Sequence, residues 1–219
     1  MAKDMRNLSL IVAEFSDALL HVDRIKAEAV LMQCLSQDDS FEQMEQIVIG
    51  SLERIGDGWE QGDISLSQVY MSGVICEGLV ETYLPRYNVR RKDIPRMAIG
   101  VLLDHHSLGK RIVYSVLRAA GFEIIDFGQG LGPEEMAQMT VDNSVEILLI
   151  STLMLPSALK VSRVRDALIA KGSSARIIVG GAPFRLDPTL WQRVGADADG
   201  QSATGVVSVI EQLVRGGGH

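Results

Sequence analysis

Apolar positions in the first 85 residues recur every three or four positions, and no segment there alternates like a strand. Four such runs predict four helices, at 10–20, 27–35, 44–55 and 69–83. The segments between the runs are short, which favours antiparallel neighbours, so the pattern predicts a four-helix bundle. Three glycines between positions 56 and 62 indicate a loosened chain around Trp59 at the end of the third run.

From residue 97 onward, continuous apolar runs alternate with amphipathic segments. The apolar runs are typical of parallel strands buried on both faces; we expect them at 97–103, 122–127, 145–151 and 176–180, with a short fifth strand near Ala198. The expected helices lie at 109–120, 132–142, 157–170, 187–194 and 203–214. This alternation predicts an α/β fold class, in which a C-terminal five-stranded parallel doubly wound sheet, flavodoxin-like or Rossmann-like, follows the N-terminal four-helix bundle.

Charge marks a boundary between the two patterns. Residues 1–85 carry 5 basic and 15 acidic side chains, residues 86–96 carry 5 and 1, and residues 97–219 carry 11 and 12. The basic segment contains Pro95 and follows Pro85, which indicates a linker. We therefore predict a helical domain at 1–90 and an α/β domain at 91–219. The basic segment is either a solvated connector or a docking surface for an acidic partner or a phosphate.

Composition narrows the class of protein. The net charge of −7 argues against general nucleic-acid binding, and no run approaches the ~20 apolar residues of a membrane span. The N-terminus lacks the charged start, apolar run and cleavage site of a secretion signal. Cys34 and Cys76 lie in apolar helical patterns, which fits a reducing compartment. We expect a cytoplasmic protein that binds neither nucleic acid nor membrane.

Candidate chemistry lies where the predicted strands end, because ligands of parallel open sheets bind beyond the carboxyl ends of the strands. The first strand is followed by Asp104, His105 and His106. Adjacent histidines in an extended loop point apart, and one histidine with one aspartate makes an incomplete zinc site. A lone histidine suits the axial position of a metal whose other ligands belong to a macrocycle.

The third and fourth strands end in a hydroxyl-bearing segment and in a glycine pair. Ser151 begins the segment that reaches Ser157, and Gly180 precedes Gly181. Two glycines either let a flat or bulky ligand approach the backbone or form a tight turn. Dinucleotide and P-loop glycine motifs are absent, and a phosphorylatable receiver would need an aspartate where Ser151 stands.

Three short motifs together carry a family resemblance. Asp104-x-His106-x-x-Gly109, Ser151-x-Leu153 and Gly180-Gly181 resemble the D-x-H-x-x-G, S-x-L and G-G motifs of cobalamin-binding proteins, in the same order and spacing. The helical part resembles the cap domain of the methyltransferase branch. Over about residues 5–214 the chain is identified as a member of the methyltransferase corrinoid protein family, similar to stand-alone methyl carriers and to the cobalamin-binding region of methionine synthase.

The resemblance implies a role for each matching residue. His106 is expected to be the axial cobalt ligand of a base-off/His-on corrinoid, with Asp104 accepting a hydrogen bond from its other ring nitrogen and Ser157 completing that chain. The remaining cofactor-binding residues are expected to line the slot for the nucleotide tail or to lie beside the ligand: Ser107, Leu108, Gly109, Ser151, Leu153, Gly180 and Gly181. No catalytic residue of the protein itself is expected.

The chain also departs from the family pattern. Leu102 and Leu103 stand where Lys-Gly is frequent, Ser107 replaces a usual aspartate, and Ser65 falls where methionine synthase has an aromatic residue over the cobalt. Trp59 is the alternative cover for the upper face of the corrin; otherwise it packs inside the bundle among Leu52, Ile55 and Val69.

The resemblance implies a function that depends on partners. The protein would carry a methyl group on cobalt as the non-autonomous shuttle of a cobalamin-dependent methyltransferase system. A substrate-specific methyltransferase would load it, a second methyltransferase would pass the group to tetrahydrofolate or a thiol, and a reductive activation protein would maintain the cobalt. The donor stays open among a methylamine, methanol, a betaine and a methoxylated aromatic. One alternative is a cobalamin-dependent sensor or regulator, but residues 1–8 leave no room for the DNA-binding module of such a protein. The other alternative is a mutase small subunit, and the helical cap argues against it.

Overall fold

The computed structural model describes residues 2–34, 40–83, 95–200, 202 and 205–216. The chain divides into two compact units, Met1–Arg90 with Ser115–Phe122, and Arg91–Tyr114 with Glu123–His219. The predicted linker at 86–96 lies mostly outside the described residues, so its role stays a prediction. None of the described helices combines the length and the apolar composition needed to cross a membrane.

The first unit contains the four predicted helices. They are α1 (Ala2–Leu20), α2 (Arg24–Cys34), α3 (Ser40–Glu60) and α4 (Leu66–Tyr83). Helix α1 contacts the other three, and the apolar stripes supply a core of almost fully buried side chains: Phe15, Leu19, Leu31, Met44, Ile47, Ile55 and Leu79. The prediction of a helical N-terminal part is confirmed.

The end of α3 differs from the expectation of a loosened chain. Helix α3 continues through Gly56 and Gly58 to Glu60. Gly58 allows the side chain of Ile64 to pack against the end of the helix, because a Cβ at position 58 would lie only 2.5 Å from Cδ1 of Ile64. The amide groups of Asp63 and Ile64 donate to the carbonyl oxygen of Gly58 at 2.9 and 3.1 Å. The helix end is thus closed by hydrogen bonds rather than loosened.

The second unit is built on one parallel sheet. Its strands are β1 (Met97–Leu102), β2 (Ile124–Leu131), β3 (Ile147–Ser151), β4 (Arg176–Gly180) and β5 (Ala198–Asp199), in the order β2-β1-β3-β4-β5. The helices that connect the strands or follow the last one are α5 (Leu108–Ala119), α6 (Pro133–Asp142), α7 (Leu155–Leu159), α8 (Val161–Ala170), α9 (Ala182–Leu186), α10 (Leu190–Arg193) and α11 (Gly205–Gly216). The part of α5 from Ser115 onward is grouped with the first unit. This is the flavodoxin-like order, so the predicted fold class is confirmed.

Three predicted boundaries are wrong for identifiable physical reasons. Strand β2 continues four residues beyond its expected end. Gly128 and Gly130 adopt φ of +91° and +73°, and the pairing of β1 with β2 shifts register there, so the strand passes through two irregular positions instead of ending. The helix expected at 157–170 begins earlier and is split at Lys160 into α7 and α8. The helix expected at 187–194 is the shorter α10, and a further helix that was not expected, α9, precedes it directly after β4 with Pro183 in its first turn.

The sheet order places a switch point between β1 and β3. All six residues of β1 are buried, and one face of the sheet packs against α6 and α8 through an apolar cluster that includes Leu102, Leu148, Met136 and Val164. Because the chain leaves β1 and β3 toward opposite sides, a crevice opens beyond their carboxyl ends. The segments after Leu102 and after Ser151 meet at that edge.

Candidate functional site

A sharp turn directly follows β1. Leu103 has φ of +60°, and the amide group of Asp104 donates to the carbonyl oxygen of Leu102 at 2.7 Å, which is the bond of a three-residue turn. The amide group of Leu103 donates to the carbonyl oxygen of Leu131 at 3.0 Å. A left-handed φ costs a non-glycine residue about 1–2 kcal/mol. The turn carries the chain out of the sheet immediately before the candidate site residues.

Asp104 is the most heavily bonded of these residues. Its side chain is buried, with Oδ2 accepting the amide groups of Leu153 and Met154 at 2.7 and 3.1 Å and Oδ1 accepting the hydroxyl group of Ser157 at 3.0 Å. Three donors stabilise a buried carboxylate that would otherwise be costly. Asp104 therefore joins the end of β1 to the β3–α7 loop, and it brings the predicted Ser157 into contact with it.

The two histidines have different surroundings. The ring of His105 lies against Gly130, where a Cβ would come within 2.5 Å of its Cε1 atom, and the amide group of Gly130 donates to the carbonyl oxygen of Asp104 at 2.8 Å. His106 is exposed, and its ring has no hydrogen bond or ion pair within the described part of the chain. Both rings are exposed, but that of His105 lies against the backbone of β2 at Gly130, and no such approach is found for His106 among the described residues.

The hydrogen bond expected between His106 and Asp104 is not among those of the described residues, and it stays a prediction. The carboxylate has capacity for it, because a carboxylate oxygen accepts about two donors and Oδ1 of Asp104 receives only the Ser157 hydroxyl group. No cluster of three or more His, Cys, Asp or Glu side chains that could hold a metal ion occurs among the residues described. A metal here would need most of its ligands from another group.

The glycines of the motifs have separate roles. Gly181 has φ of +120°, and a Cβ there would lie 1.8 Å from the carbonyl oxygen of Thr152, so the fold itself requires glycine. Gly180 has open space where its Cβ would be. At the start of α5, a Cβ on Gly109 would lie 3.6 Å from Oγ of Ser151. Gly180 therefore leaves room at the end of β4, Gly109 lies close to Ser151 at the end of β3, and Gly181 fixes the turn that follows β4.

Two features at this edge were missed from the sequence. Thr152 is 2% exposed, and its hydroxyl group has no hydrogen-bond partner among the described atoms. Four neighbouring apolar side chains are each more than two-fifths exposed, a set we call the apolar rim: Leu103, Leu153, Met154 and Leu155. An exposed imidazole, a buried hydroxyl group without a partner among the described atoms and an exposed apolar rim fit a large, mostly apolar ligand that also takes a nitrogen ligand.

An ion pair between a buried lysine and a partly exposed aspartate was also missed. Lys110 is 6% exposed, and its Nζ atom donates to both carboxylate oxygens of Asp126, whose Oδ1 also accepts the amide group of Gly128 at 2.7 Å. The pair joins the first turn of α5 to β2. Ser107 and Leu108 lie at the start of this helix, where the carbonyl oxygen of Ser107 accepts the amide group of Arg111 at 2.9 Å. The pair thus fixes the element that follows the histidines.

Two residues of the helical unit bear on the predicted cap. Trp59 is 43% exposed on the last turn of α3, whereas Leu52, Ile55 and Val69 are buried. Its role over a corrin stays a prediction. Ser65 bonds with Gln68 through both backbone and side chain at the start of α4, which is the geometry of a capping box. A serine at that position is therefore explained by the local structure.

Comparisons with known proteins agree on one class. Two family models match the chain, each described as a B12 binding domain, one over residues 97–207 and one over residues 11–83. Trimethylamine corrinoid protein 1 of Methanosarcina mazei is 29% identical over 215 residues, which cover 94% of this chain and 98% of that protein.

Two solved structures share the fold. The monomethylamine corrinoid protein of Methanosarcina barkeri aligns with a TM-score of 0.67 at 23% identity, covering 94% of this chain and 99% of that one. A chain of the methanol:cobalamin methyltransferase complex from Methanosarcina barkeri aligns with a TM-score of 0.62 at 18% identity. The alignment covers 94% of this chain and 80% of that one.

Proposed function

Because the chain belongs to the family of corrinoid proteins built on B12 binding domains, we propose that it is the methyl-carrying subunit of a methyltransferase system. The bound corrinoid supplies a cobalt centre that accepts and releases the methyl group. The protein supplies ligation, orientation and a shaped surface. The observation that carries the proposal is the Asp104 carboxylate, held by three donors at the switch point and followed by an available His106.

In this proposal His106 would ligate the cobalt through one ring nitrogen, in the base-off/His-on mode, and its other ring nitrogen would donate a hydrogen bond to Oδ1 of Asp104. The amide groups of Leu153 and Met154 keep the carboxylate oriented, because they occupy Oδ2 and leave Oδ1 to the imidazole and to Ser157. A chain of hydrogen bonds from His106 through Asp104 to Ser157 would let these residues hold a proton between the imidazole and the Asp104 carboxylate.

The nucleotide tail of the corrinoid is proposed to enter the space bordered by Gly109, Ser151 and Gly180. Each lies at the carboxyl end of a strand or at the start of α5, and Gly180 has open space where a side chain would be. The unpaired hydroxyl group of Thr152 is a further donor near this space. Leu153 belongs to the apolar rim and is proposed to contact the ring.

We propose a methylated amine as the methyl donor. The support is the likeness to a trimethylamine corrinoid protein over nearly the full length of both chains. A substrate-specific methyltransferase would load the protein, and a second enzyme would pass the methyl group to a thiol or tetrahydrofolate acceptor. A reductive activation protein would restore the cobalt after oxidation.

Substitution of each histidine tests the ligand assignment. The full chain is produced with 15N-labelled histidine, so that a protein imidazole is distinguished from the benzimidazole nitrogen that cobalamin itself carries. It is loaded with aquocobalamin and reduced by one electron, and the cobalt is examined by electron paramagnetic resonance. We expect nitrogen splitting from a protein imidazole in the wild type and in His105→Ala, and its loss in His106→Ala. Splitting that persists in His106→Ala, or that disappears only in His105→Ala, would show that the ligand is a different residue.

Reconstitution tests the donor. The loaded, reduced chain is mixed with a trimethylamine-specific or a methanol-specific methyltransferase and its substrate, and methylation of the cofactor is followed by absorbance. We expect methylation with the amine enzyme and none with the methanol enzyme. Methylation by the methanol enzyme alone would overturn the donor but keep the carrier role.

A further inference from the structure

Leu103 combines backbone strain with an exposed side chain. Its φ of +60° lies in the left-handed region, where a residue with a Cβ is disfavoured, and two turn bonds hold it there. Yet its side chain is 41% exposed, although all six preceding residues of β1 are buried. Burial of the Leu103 side chain in the protein core therefore does little to offset the energetic cost of the strained backbone conformation.

The surroundings of Leu103 explain what the side chain serves. Asp104 follows it directly and bonds the amide groups of Leu153 and Met154, whose own side chains are 42% and 52% exposed. Leu103 thus belongs to the apolar rim beside Asp104, which precedes the exposed His106 by two residues. An apolar surface of this kind, beside a few oriented polar groups, is typical of a ligand site.

We propose that Leu103 is a corrinoid-contacting residue, and that the strained turn is retained because it presents this side chain to the macrocycle. The inference rests on the proposed site at the β1–β3 switch point. Leu103 would contribute affinity by covering its exposed surface with the ring, separately from the ligand bond of His106. Burial of that much apolar surface corresponds to about a tenfold change in a dissociation constant.

Two substitutions separate the side chain from the strain. Leu103→Gly removes both, and Leu103→Ala removes the side chain beyond Cβ while keeping the unfavourable φ. Ile169→Ala is the matched control, since Ile169 is 64% exposed near the far end of α8. The full chain is titrated with aquocobalamin by absorbance, and the unloaded chain is unfolded by heat.

We expect both Leu103 variants to raise the dissociation constant about tenfold, with no change for Ile169→Ala. We expect the unloaded Leu103→Gly variant to melt about 2–4 °C above Leu103→Ala, because glycine relieves the strain. Both variants should keep the imidazole splitting, which shows that the ligand geometry is intact.

Wild-type affinity in both Leu103 variants would overturn the proposal, and so would weakening confined to Leu103→Gly, because the backbone would then be the cause. Loss of the imidazole splitting in both would overturn it as well, since Leu103 would then act through His106. Failure of the wild-type chain to bind aquocobalamin with a protein imidazole would instead contradict the proposed function, so the two failures are distinguishable.

Discussion

The Asp104 carboxylate performs two tasks that one pair of substitutions can separate. It holds the β3–α7 loop by accepting hydrogen bonds from the amide groups of Leu153 and Met154 and from the hydroxyl group of Ser157. We propose that it also accepts a hydrogen bond from the ring of His106. Asp104→Asn keeps the shape and can still accept both amide groups on its single carbonyl oxygen. Its amide nitrogen would then face Ser157, which can accept instead of donate. The variant cannot accept from His106 on that side.

The magnitudes follow from the three bonds. Asp104→Ala leaves two amide groups and one hydroxyl group without their acceptor at a site that is 8% exposed, and each unsatisfied buried donor costs about 1–3 kcal/mol. Because the loop can relax toward solvent, we expect a loss of about 3–5 kcal/mol in the free energy of unfolding of the α/β unit. Asp104→Asn keeps these hydrogen bonds but removes the negative charge that strengthens them, so we expect the free energy of unfolding to fall by about 1–2 kcal/mol.

Denaturant unfolding of the unloaded chain, followed by circular dichroism, measures these losses. Ser162→Ala is the control, because Ser162 bonds only the carbonyl oxygen of Leu159, at 3.1 Å on the surface, and should change stability by less than about 0.5 kcal/mol. After loading with aquocobalamin, Asp104→Asn should fold but bind with altered imidazole splitting. If Asp104→Ala costs less than about 1 kcal/mol, or if Asp104→Asn costs as much as Asp104→Ala, the loop is not held as described.

Three further predictions concern other residues. Gly181→Ala should destabilise the protein by about 3 kcal/mol in thermal unfolding, because it adds a Cβ 1.8 Å from a backbone oxygen at a φ of +120°, while Gly180→Ala should fold normally. Trp59→Ala should lower the free energy of unfolding by clearly less than the loss of about 3–5 kcal/mol that is expected for a buried tryptophan. The variant should still bind the corrinoid, but its reduced cofactor should be oxidised faster; an unchanged rate of oxidation would contradict the covering role of Trp59. Burial raises the pKa of the Cys76 thiol to about 12, so in a Cys34→Ala chain a thiol reagent should react only after unfolding, and fast reaction of the native chain would contradict this.

Strong periodicity and motif spacing allowed much of this structure to be predicted. Strand β4 lies where its apolar run predicted, and the chain order of the motifs placed Asp104 and Ser157 at one edge, where they bond. These successes share a cause, because a buried strand needs a continuous apolar run and a parallel sheet aligns its strand ends.

The features that sequence reasoning missed depend on local geometry without a composition signal. Leucine itself gives no indication of a left-handed turn, and the signal for the strain at Leu103 lay only in the glycine that the resembling family frequently has at that position. Gly128 and Gly130 indicate a loop, yet they extend β2 by taking positive φ. The unpaired Thr152 hydroxyl group was hidden because the middle position of the Ser151-x-Leu153 motif is free in the pattern.

The two outer strands of the sheet have a consequence for how the protein avoids unwanted assembly. An exposed strand edge offers unpaired amide and carbonyl groups to any extended chain, and long flat edges therefore promote aggregation. Strand β5 has only two residues, and β2 at the opposite edge is bent by its glycines at 128 and 130. Neither edge presents a long regular template. The sheet is thereby kept from adding the backbone of another chain at either of its outer strands.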